Sequence, residues 1–323
     1  MRRFKAVFTP VVLTLGTATF LCLLWTFDPP RVWDRLVAFG WGFAVLLPFQ
    51  ILDHMLNACG WKLSFPPAAA GRAGFWDLVR VRIAGDGVNY LTPSGNIAGE
   101  FVRPGMLKCD LPDAVKIASV FLAKVAQAVG QALFVILGLG YLLLGRRYAF
   151  QGSQAAWGGL MMAAILGAVA LGVWVFACEP PAWVGRRFPQ AVEKGAPVRA
   201  LLRHCLARHP WRLAGSTLFF MLGYGWGAVE VWLIARLMGS PMEAQTALAV
   251  EFLSNLVDAV AFMVPAKIGT QEAGKAAIFK GLGMPPELGF TLGIIRHVRE
   301  ISWAGMGLAF YAAHRRRRPR SNR

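Results

Sequence analysis

The chain is a succession of apolar runs, each about as long as a bilayer's hydrocarbon core is thick, and that pattern leaves few folds open. A spanning helix needs about 20 mostly apolar residues. Runs of that kind occupy roughly 7–27, 36–57, 114–145, 155–177, 211–237 and 288–313 of the 323 residues. Backbone N–H and C=O groups in hydrocarbon find no water, so a spanning segment must satisfy them itself, as an α-helix does. The sequence therefore predicts an all-α polytopic membrane protein with about six spanning helices. Charged residues make up 16% of the chain, against about 25% in a soluble domain. That is too little polar surface to coat a water-soluble globule.

The chain is also strongly basic, with a formal charge of +17. A positive excess fits either nucleic-acid binding or a membrane protein with basic cytoplasmic loops. The distribution decides between them. Arg2, Arg3 and Lys5 open the chain, seven cations fall between Arg186 and Arg212, and six arginines lie between Arg315 and Arg323. Apolar runs separate these clusters. A soluble enzyme, a secreted disulfide scaffold and a disordered chain are excluded. No nucleic-acid partner is expected, because the RRRRPR tail has no interleaved aromatics. Cys22, Cys59, Cys109, Cys178 and Cys205 are scattered without CxxC spacing and read as apolar fillers. MRRFK and the apolar run to Phe27 are followed by Asp28-Pro29-Pro30 rather than a small-x-small cleavage site, so residues 1–35 read as a signal-anchor helix.

The positive-inside rule puts the N-terminus, the 179–210 loop and the tail on the cytoplasmic side of a bacterial inner membrane. The loop is expected to lie on the membrane surface, and loop and tail to meet anionic lipids. Counting crossings then leaves segment 75–112 starting and ending inside, and segment 243–286 starting and ending outside. Both read as re-entrant helical hairpins, because Pro, Gly and charge interrupt them. The expected organisation is an anchor (1–35), a first repeat (36–145), a linking helix with the basic loop (146–207), a second repeat (208–313) and a basic tail (314–323).

The two interrupted segments match each other without gaps at an offset of 172 residues. Asp86 pairs with Asp258, Tyr90 with Phe262, Pro93 with Pro265, Glu100 with Glu272, Arg103 with Lys275 and Lys108 with Lys280. Further on, Lys124 pairs with Arg296. These matches fall at rare residue types in an apolar background. Opposite entry faces make this an inverted-topology repeat, an arrangement that in transporters puts discontinuous helices around a midplane site. Pro93 and Pro265 break the hydrogen-bond ladder. Gly95, Gly99 and Gly269 permit close backbone beside the breaks, and these five positions read as hinges.

Charge inside such runs is expensive, about 2.5–3.5 kcal/mol for each Arg, Lys or Asp at a helix centre. The chain nevertheless places Glu100, Arg103, Lys124, Asp258, Glu272, Lys275, Arg296, Arg299 and Glu300 there, with Asn89, Ser94 and Gln127 close by. These twelve are the expected substrate-binding residues. Glu100 with Arg103, and Arg296 with Glu300, have the spacing of neutralising pairs. Within the set, cations outnumber acids, which suits an anionic guest. His297 and the tryptophans, including Trp226 and Trp303, read as packing or interfacial residues. No Walker A sequence, HExxH, GxSxG or metal-ligand spacing is present, so neither metal nor cofactor is expected.

The runs VNYLTPSGNIAGEFVRPGML (88–107), VPAKIGTQEAG (264–274) and GIIRHVRE (293–300) resemble the two motifs of a flippase-like family. That family is typified by the transmembrane region of lysylphosphatidylglycerol synthases. The resemblance covers about 10–313, and the TPSGNIAGE spelling resembles stand-alone members linked to hopanoid biosynthesis. Thr270-Gln271 stands where relatives often carry a basic residue before the Glu, and Lys124 where many carry Arg. What the resemblance implies is translocation of a phospholipid, hopanoid or polyprenyl-type lipid between leaflets, without enzymatic activity, beside lipid-biosynthesis enzymes as partners. A membrane enzyme acting on a lipid head group, or a scaffold for such enzymes, are the other readings.

Overall fold

In a computed structural model the protein is described over residues 17–92, 97–144, 181–260 and 264–317, with isolated positions at 14, 160, 163, 164, 167 and 171. The expected span 155–177 and the hinge residues Pro93 and Gly95, with Ser94, lie outside these described residues. Every regular element among the described residues is helical. In order they are α1 (Thr17–Thr26), α2 (Pro29–Phe39), α3 (Gly42–Phe49), α4 (Ile51–Leu63), α5 (Pro67–Ala70), α6 (Phe75–Leu91) and α7 (Ala98–Met106). Then follow α8 (Asp113–Leu144), α9 (Ala182–Arg187), α10 (Pro189–Arg208), α11 (Pro210–Leu237), α12 (Ala244–Val260), α13 (Thr270–Gly281) and α14 (Pro286–Arg317). A 3₁₀ turn, Pro265–Lys267, lies between α12 and α13.

Proline starts and glycine stops explain many of the boundaries. Prolines open α2, α5, α10, α11 and α14, where the missing N–H would have no intrahelical partner. Gly239 and Gly283, at φ 70° and 74°, end α11 and α13. Beyond them the Ser240 N–H bonds back to the Ala235 carbonyl and that of Met284 to Phe279, the six-to-one bond of a left-handed helix end.

Among the described residues, three stretches are long and apolar enough to cross a membrane: Gly42–Leu63, Asp113–Leu142 and Pro210–Leu237. The first begins later than the 36–57 expected from sequence, because α2 ends at Gly40. α14 has the length, 32 residues, but its charges keep it out of this group. The α6–α7–α8 succession has lengths of 17, 9 and 32 residues, and α12–α13–α14 has 17, 12 and 32.

The chain forms two compact units, and the division runs through several helices. One comprises Met1–His54, Arg80–Val102 and Tyr224–Arg323; the other comprises Met55–Val79 and Arg103–Gly223. In the first unit, Phe39, Leu46, Val231, Ile234, Val250, Phe279, Leu292 and Ile295 form the apolar core. Glycines bring its helices together. A Cβ on Gly307 of α14 would stand 2.2 Å from the Ile83 carbonyl of α6, and one on Gly87 would stand 2.6 Å from the Ala304 carbonyl. One on Gly289 would meet the Lys275 carbonyl at 2.4 Å. Membrane helices use small residues in this way to let backbones approach. In the second unit, the Trp61 indole donates to Ser119, Ser216 donates to the Gly60 carbonyl, and Leu122 packs with Leu201 and Leu213.

Candidate functional site

The first unit places a band of charged and polar side chains between its apolar helices, and its foundation is a helix break. Pro48 lies inside α3, and the helix resumes after Gln50 as α4. The carbonyls exposed at the break are taken by two tryptophans: Trp303 Nε1 donates to the Leu47 oxygen at 3.1 Å and Trp226 Nε1 to that of Phe49 at 3.2 Å. Both indoles therefore satisfy backbone groups that apolar surroundings would otherwise strand, a role the sequence reading of Trp226 and Trp303 did not assign. Gln50, at the break, accepts from Arg299 Nη1 at 2.7 Å and donates to Asp53 at 3.0 Å.

Arg296 and Arg299, one turn apart on α14, meet at one carboxylate. Glu230 Oε2 accepts from Arg296 Nη2 at 3.0 Å and also from Arg299 Nη1. Arg296 Nη2 further lies 2.7 Å from Glu251 Oε2 and donates to the Gly227 carbonyl at 2.9 Å. Gly227 makes this possible, because a Cβ there would stand 2.2 Å from Glu251 Oε1. Asn255 holds the same Glu251 Oε1 at 3.0 Å. Arg299 Nη2 reaches Glu300 at 3.2 Å, and Gln271 donates to the same Glu300 oxygen.

The half-helix α13 is tied in separately. Gly269, at φ 75°, precedes it. Its N–H donates to Glu272 Oε2 at 3.0 Å, while Glu272 Oε1 lies 2.7 Å from His297 Nδ1. Both oxygens of this carboxylate are thus engaged. Asp258 pairs with Lys267 at 2.8 Å. Lys275 is 2% exposed and, among the described residues, has neither an ion-pair nor a hydrogen-bond partner. At the other break, the Gly99 N–H donates to Asn89 Oδ1 at 2.7 Å, and a Cβ on Gly99 would stand 2.1 Å from the Gly85 carbonyl. Asn89 therefore anchors the start of α7, and Gly99 serves close approach.

Beside this band lies a cavity of about 110 Å³, lined by Gln50, His54, Asp86, Tyr90, Arg299, Glu300, Trp303 and Ala304. His54 Nδ1 is 3.8 Å from Asp86, which also lies 3.7 Å from Arg82. The His54 ring lies against Trp303, and Tyr90 meets His297 edge-on, with centroids 6.2 Å apart.

Of the residues singled out from sequence, the structure brings Asp258, Glu272, Lys275, Arg296, Arg299 and Glu300 together on α12, α13 and α14. Asn89 and Glu100 are in the same unit. Arg103, Lys124 and Gln127 belong to the other unit, where Arg103 is buried and Lys124 half-buried. Two expectations are corrected. Arg296 does not pair with Glu300; it turns to Glu230 and Glu251, and Glu300 pairs with its neighbour Arg299. The excess of cations does not hold in this unit either. Among its described residues Glu230, Glu251, Asp258, Glu272 and Glu300 stand with Lys267, Lys275, Arg296 and Arg299. Sequence reasoning passed over Glu230, Lys267 and His54. The available signal for each was the one used for the others, a charged or titratable residue inside or next to an apolar run. Among the described residues, no three His, Cys, Asp or Glu side chains are grouped to hold a metal ion.

Buried ion pairs among helices of bilayer-spanning length and composition define an integral membrane protein with its polar chemistry inside. The chain belongs to the family of the lysylphosphatidylglycerol synthase transmembrane region, whose sequence profile matches residues 8–307. Membership places it among membrane proteins involved in lipid handling. No curated protein and no solved structure matches the chain.

Proposed function

We propose that this protein translocates a lipid between the leaflets of a bacterial cytoplasmic membrane and performs no synthesis. In this reading six helices span the bilayer and both termini are cytoplasmic. The hairpins at 75–112 and 243–286 enter from opposite faces as an inverted repeat. The family supports lipid as the cargo. The successive helix lengths support the repeat, as do the helix starts at Ala98 and Thr270, which lie at the sequence offset of 172. The anionic part of a phospholipid, hopanoid or polyprenyl-type head group is recognised inside the protein.

The observation that carries this reading is Lys275, a cation buried on a short interrupted helix without a described partner. The guanidiniums of Arg296 and Arg299 are committed to carboxylates, so Lys275 is the cation with capacity for a phosphate or carboxylate. A charge-assisted hydrogen bond contributes about 1.5–3 kcal/mol, or roughly tenfold and more in affinity. Asn89 and Glu272 hold the starts of the two half-helices, which rock around the site during alternating access.

The test is translocation of fluorescent lipids in proteoliposomes containing the full chain, read by quenching of the outer leaflet. Wild type is expected to move at least one phospholipid or polyprenyl lipid faster than empty vesicles, and Lys275→Gln to slow it about tenfold. No movement of any lipid class by wild type overturns the reading. A deletion strain lacking one lipid species altogether would point instead to a head-group enzyme.

A further inference from the structure

The cavity beside the ion network has a composition that head-group binding does not use. An imidazole–carboxylate pair, His54 with Asp86, stands in its wall at 3.8 Å. A second, His297 with Glu272 at 2.7 Å, lies behind Tyr90, whose ring touches that of His297 edge-on. Tyr90 itself lines the cavity. Its hydroxyl is enclosed by protein and has no hydrogen-bond partner among the described residues. A buried hydroxyl without a partner costs about 1–3 kcal/mol, so a purely structural Tyr90 would be better replaced by phenylalanine. The internal repeat makes that replacement: the position 172 residues on is Phe262. The ring is therefore common to both copies, and the hydroxyl belongs to the one that faces the histidines.

We propose that this cavity is a proton-conducting site in which the Tyr90 hydroxyl links the His54–Asp86 pair to the His297–Glu272 pair. Histidine changes charge near neutral pH, and a carboxylate on one ring nitrogen fixes which nitrogen presents the mobile proton. The space is polar and large enough for water, which needs two to four polar partners. Gln50, Glu300, His54 and Asp86 supply them. A proton held on His54 passes through that water to the Tyr90 oxygen while Tyr90 releases its own proton towards His297. The hydroxyl is restored, His54 ends neutral, and the gained charge rests on His297 against Glu272. Around His54 the facing groups are Asp86 and Arg82 of α6, Trp303 of α14, and Asp53 and Gln50 at the α4 break. Around His297 they are Glu272 and Gln271 of α13, Tyr90 of α6, and Arg299 and Glu300 of its own helix. The guanidiniums are neutralised by Glu230, Glu251 and Glu300, so a proton crossing the cavity does not meet an uncompensated cation in that network. Polar side-chain chains of this type serve proton-driven membrane proteins. The inference rests on the translocation reading only for the work that the proton would drive.

The experiment uses proteoliposomes of the full chain with a trapped pH dye, potassium and valinomycin, and a fluorescent lipid in the same vesicles. An imposed pH gradient is expected to give protein-dependent proton entry and to accelerate lipid movement. Tyr90→Phe should lower proton entry about tenfold or more without reducing the melting temperature in detergent, an outcome that a structural tyrosine does not give. His54→Gln and His297→Gln should do the same where they fold. Lipid movement indifferent to the gradient, with no proton entry, overturns this inference and leaves the translocation reading standing. Proton entry that Tyr90→Phe abolishes, with no lipid moved by wild type, supports the relay and overturns translocation. Unchanged proton entry in folded Tyr90→Phe overturns the relay whatever the lipid does.

Discussion

Removal of the Glu230 charge tests the ion network most directly. Glu230 is 2% exposed, and a single oxygen accepts from both Arg296 and Arg299. In Glu230→Gln the amide keeps the volume and one acceptor oxygen but loses the charge. Breaking a buried ion pair by removing one partner costs about 3–5 kcal/mol, because the other charge stays buried without compensation. Here each guanidinium keeps a second acid: Arg296 has Glu251 at 2.7 Å and Arg299 has Glu300 at 3.2 Å. The expected loss is therefore at the lower end, about 3 kcal/mol. The control is the Asp28–Arg31 pair, whose side chains are 49% and 77% exposed; Asp28→Asn should cost less than about 1 kcal/mol. Unfolding of the full chain in dodecyl maltoside by added SDS measures both. A double-mutant cycle with Arg299→Gln should return a coupling of about 1–3 kcal/mol. A Glu230→Gln loss no greater than the control, or a cycle that sums to zero, would refute the view that this carboxylate holds two buried cations in place.

Three further changes probe how the site is built. Gly227→Ala puts a methyl 2.2 Å from Glu251 Oε1; it should displace that carboxylate from Arg296 at a cost of about 1–3 kcal/mol, and the same change in a Glu251→Gln background should cost measurably less in the SDS titration. Gly307→Ala meets backbone rather than a movable side chain, the Ile83 carbonyl at 2.2 Å, so the loss should be at least as large as for Gly227→Ala, with faster amide exchange in both α6 and α14. Asn89→Ala removes the acceptor of the Gly99 N–H and should cost about 1 kcal/mol, seen as faster exchange confined to the start of α7.

The sequence made the apolar helices readable, because hydropathy alone marks a segment that must satisfy its own backbone. The interruptions of the two charged segments were equally plain from proline and glycine, and the structure starts α7 and α13 at equivalent positions. The partners of the buried charges were another matter. Arg296 and Glu300 sit i,i+4 on one helix, a spacing that favours a local pair, yet a guanidinium reaches several Å from its backbone and takes whatever acid a neighbouring helix offers. Which helix lies alongside is set by Gly227, Gly289 and Gly307, and no single-sequence pattern says which glycines face one another. Asn89 illustrates the same limit. It reads as a polar residue ahead of a break, a candidate for ligand binding, and its side chain is spent on the backbone beyond that break.

The offset of 172 residues also separates what the two copies share from what they do not. Asp86/Asp258 and Glu100/Glu272 are identical, and Arg103/Lys275 and Lys124/Arg296 keep their charge. Beside this shared set, Arg299 and Glu300 correspond to Gln127 and Ala128, His297 to Val125, and Tyr90 to Phe262. The frame is therefore doubled while the titratable chemistry is not. Two copies that only formed halves of a symmetrical gate would have no need of that difference, since an amide and a methyl meet the packing requirement at much lower insertion cost than a guanidinium and a carboxylate. The expensive residues have collected where α6, α12, α13 and α14 carry the histidines, Tyr90 and the cavity, and that is where substitutions that leave the fold intact should alter function most. Replacing the second copy's residues by their first-copy counterparts, Arg299→Gln together with Glu300→Ala, removes an ion pair as a unit and so leaves neither of its members stranded. The double change should be tolerated far better in unfolding experiments than either single change, while lipid movement falls. A double variant as unstable as Arg299→Gln alone would show that the pair is a structural strut, and that the asymmetry between the copies says nothing about function.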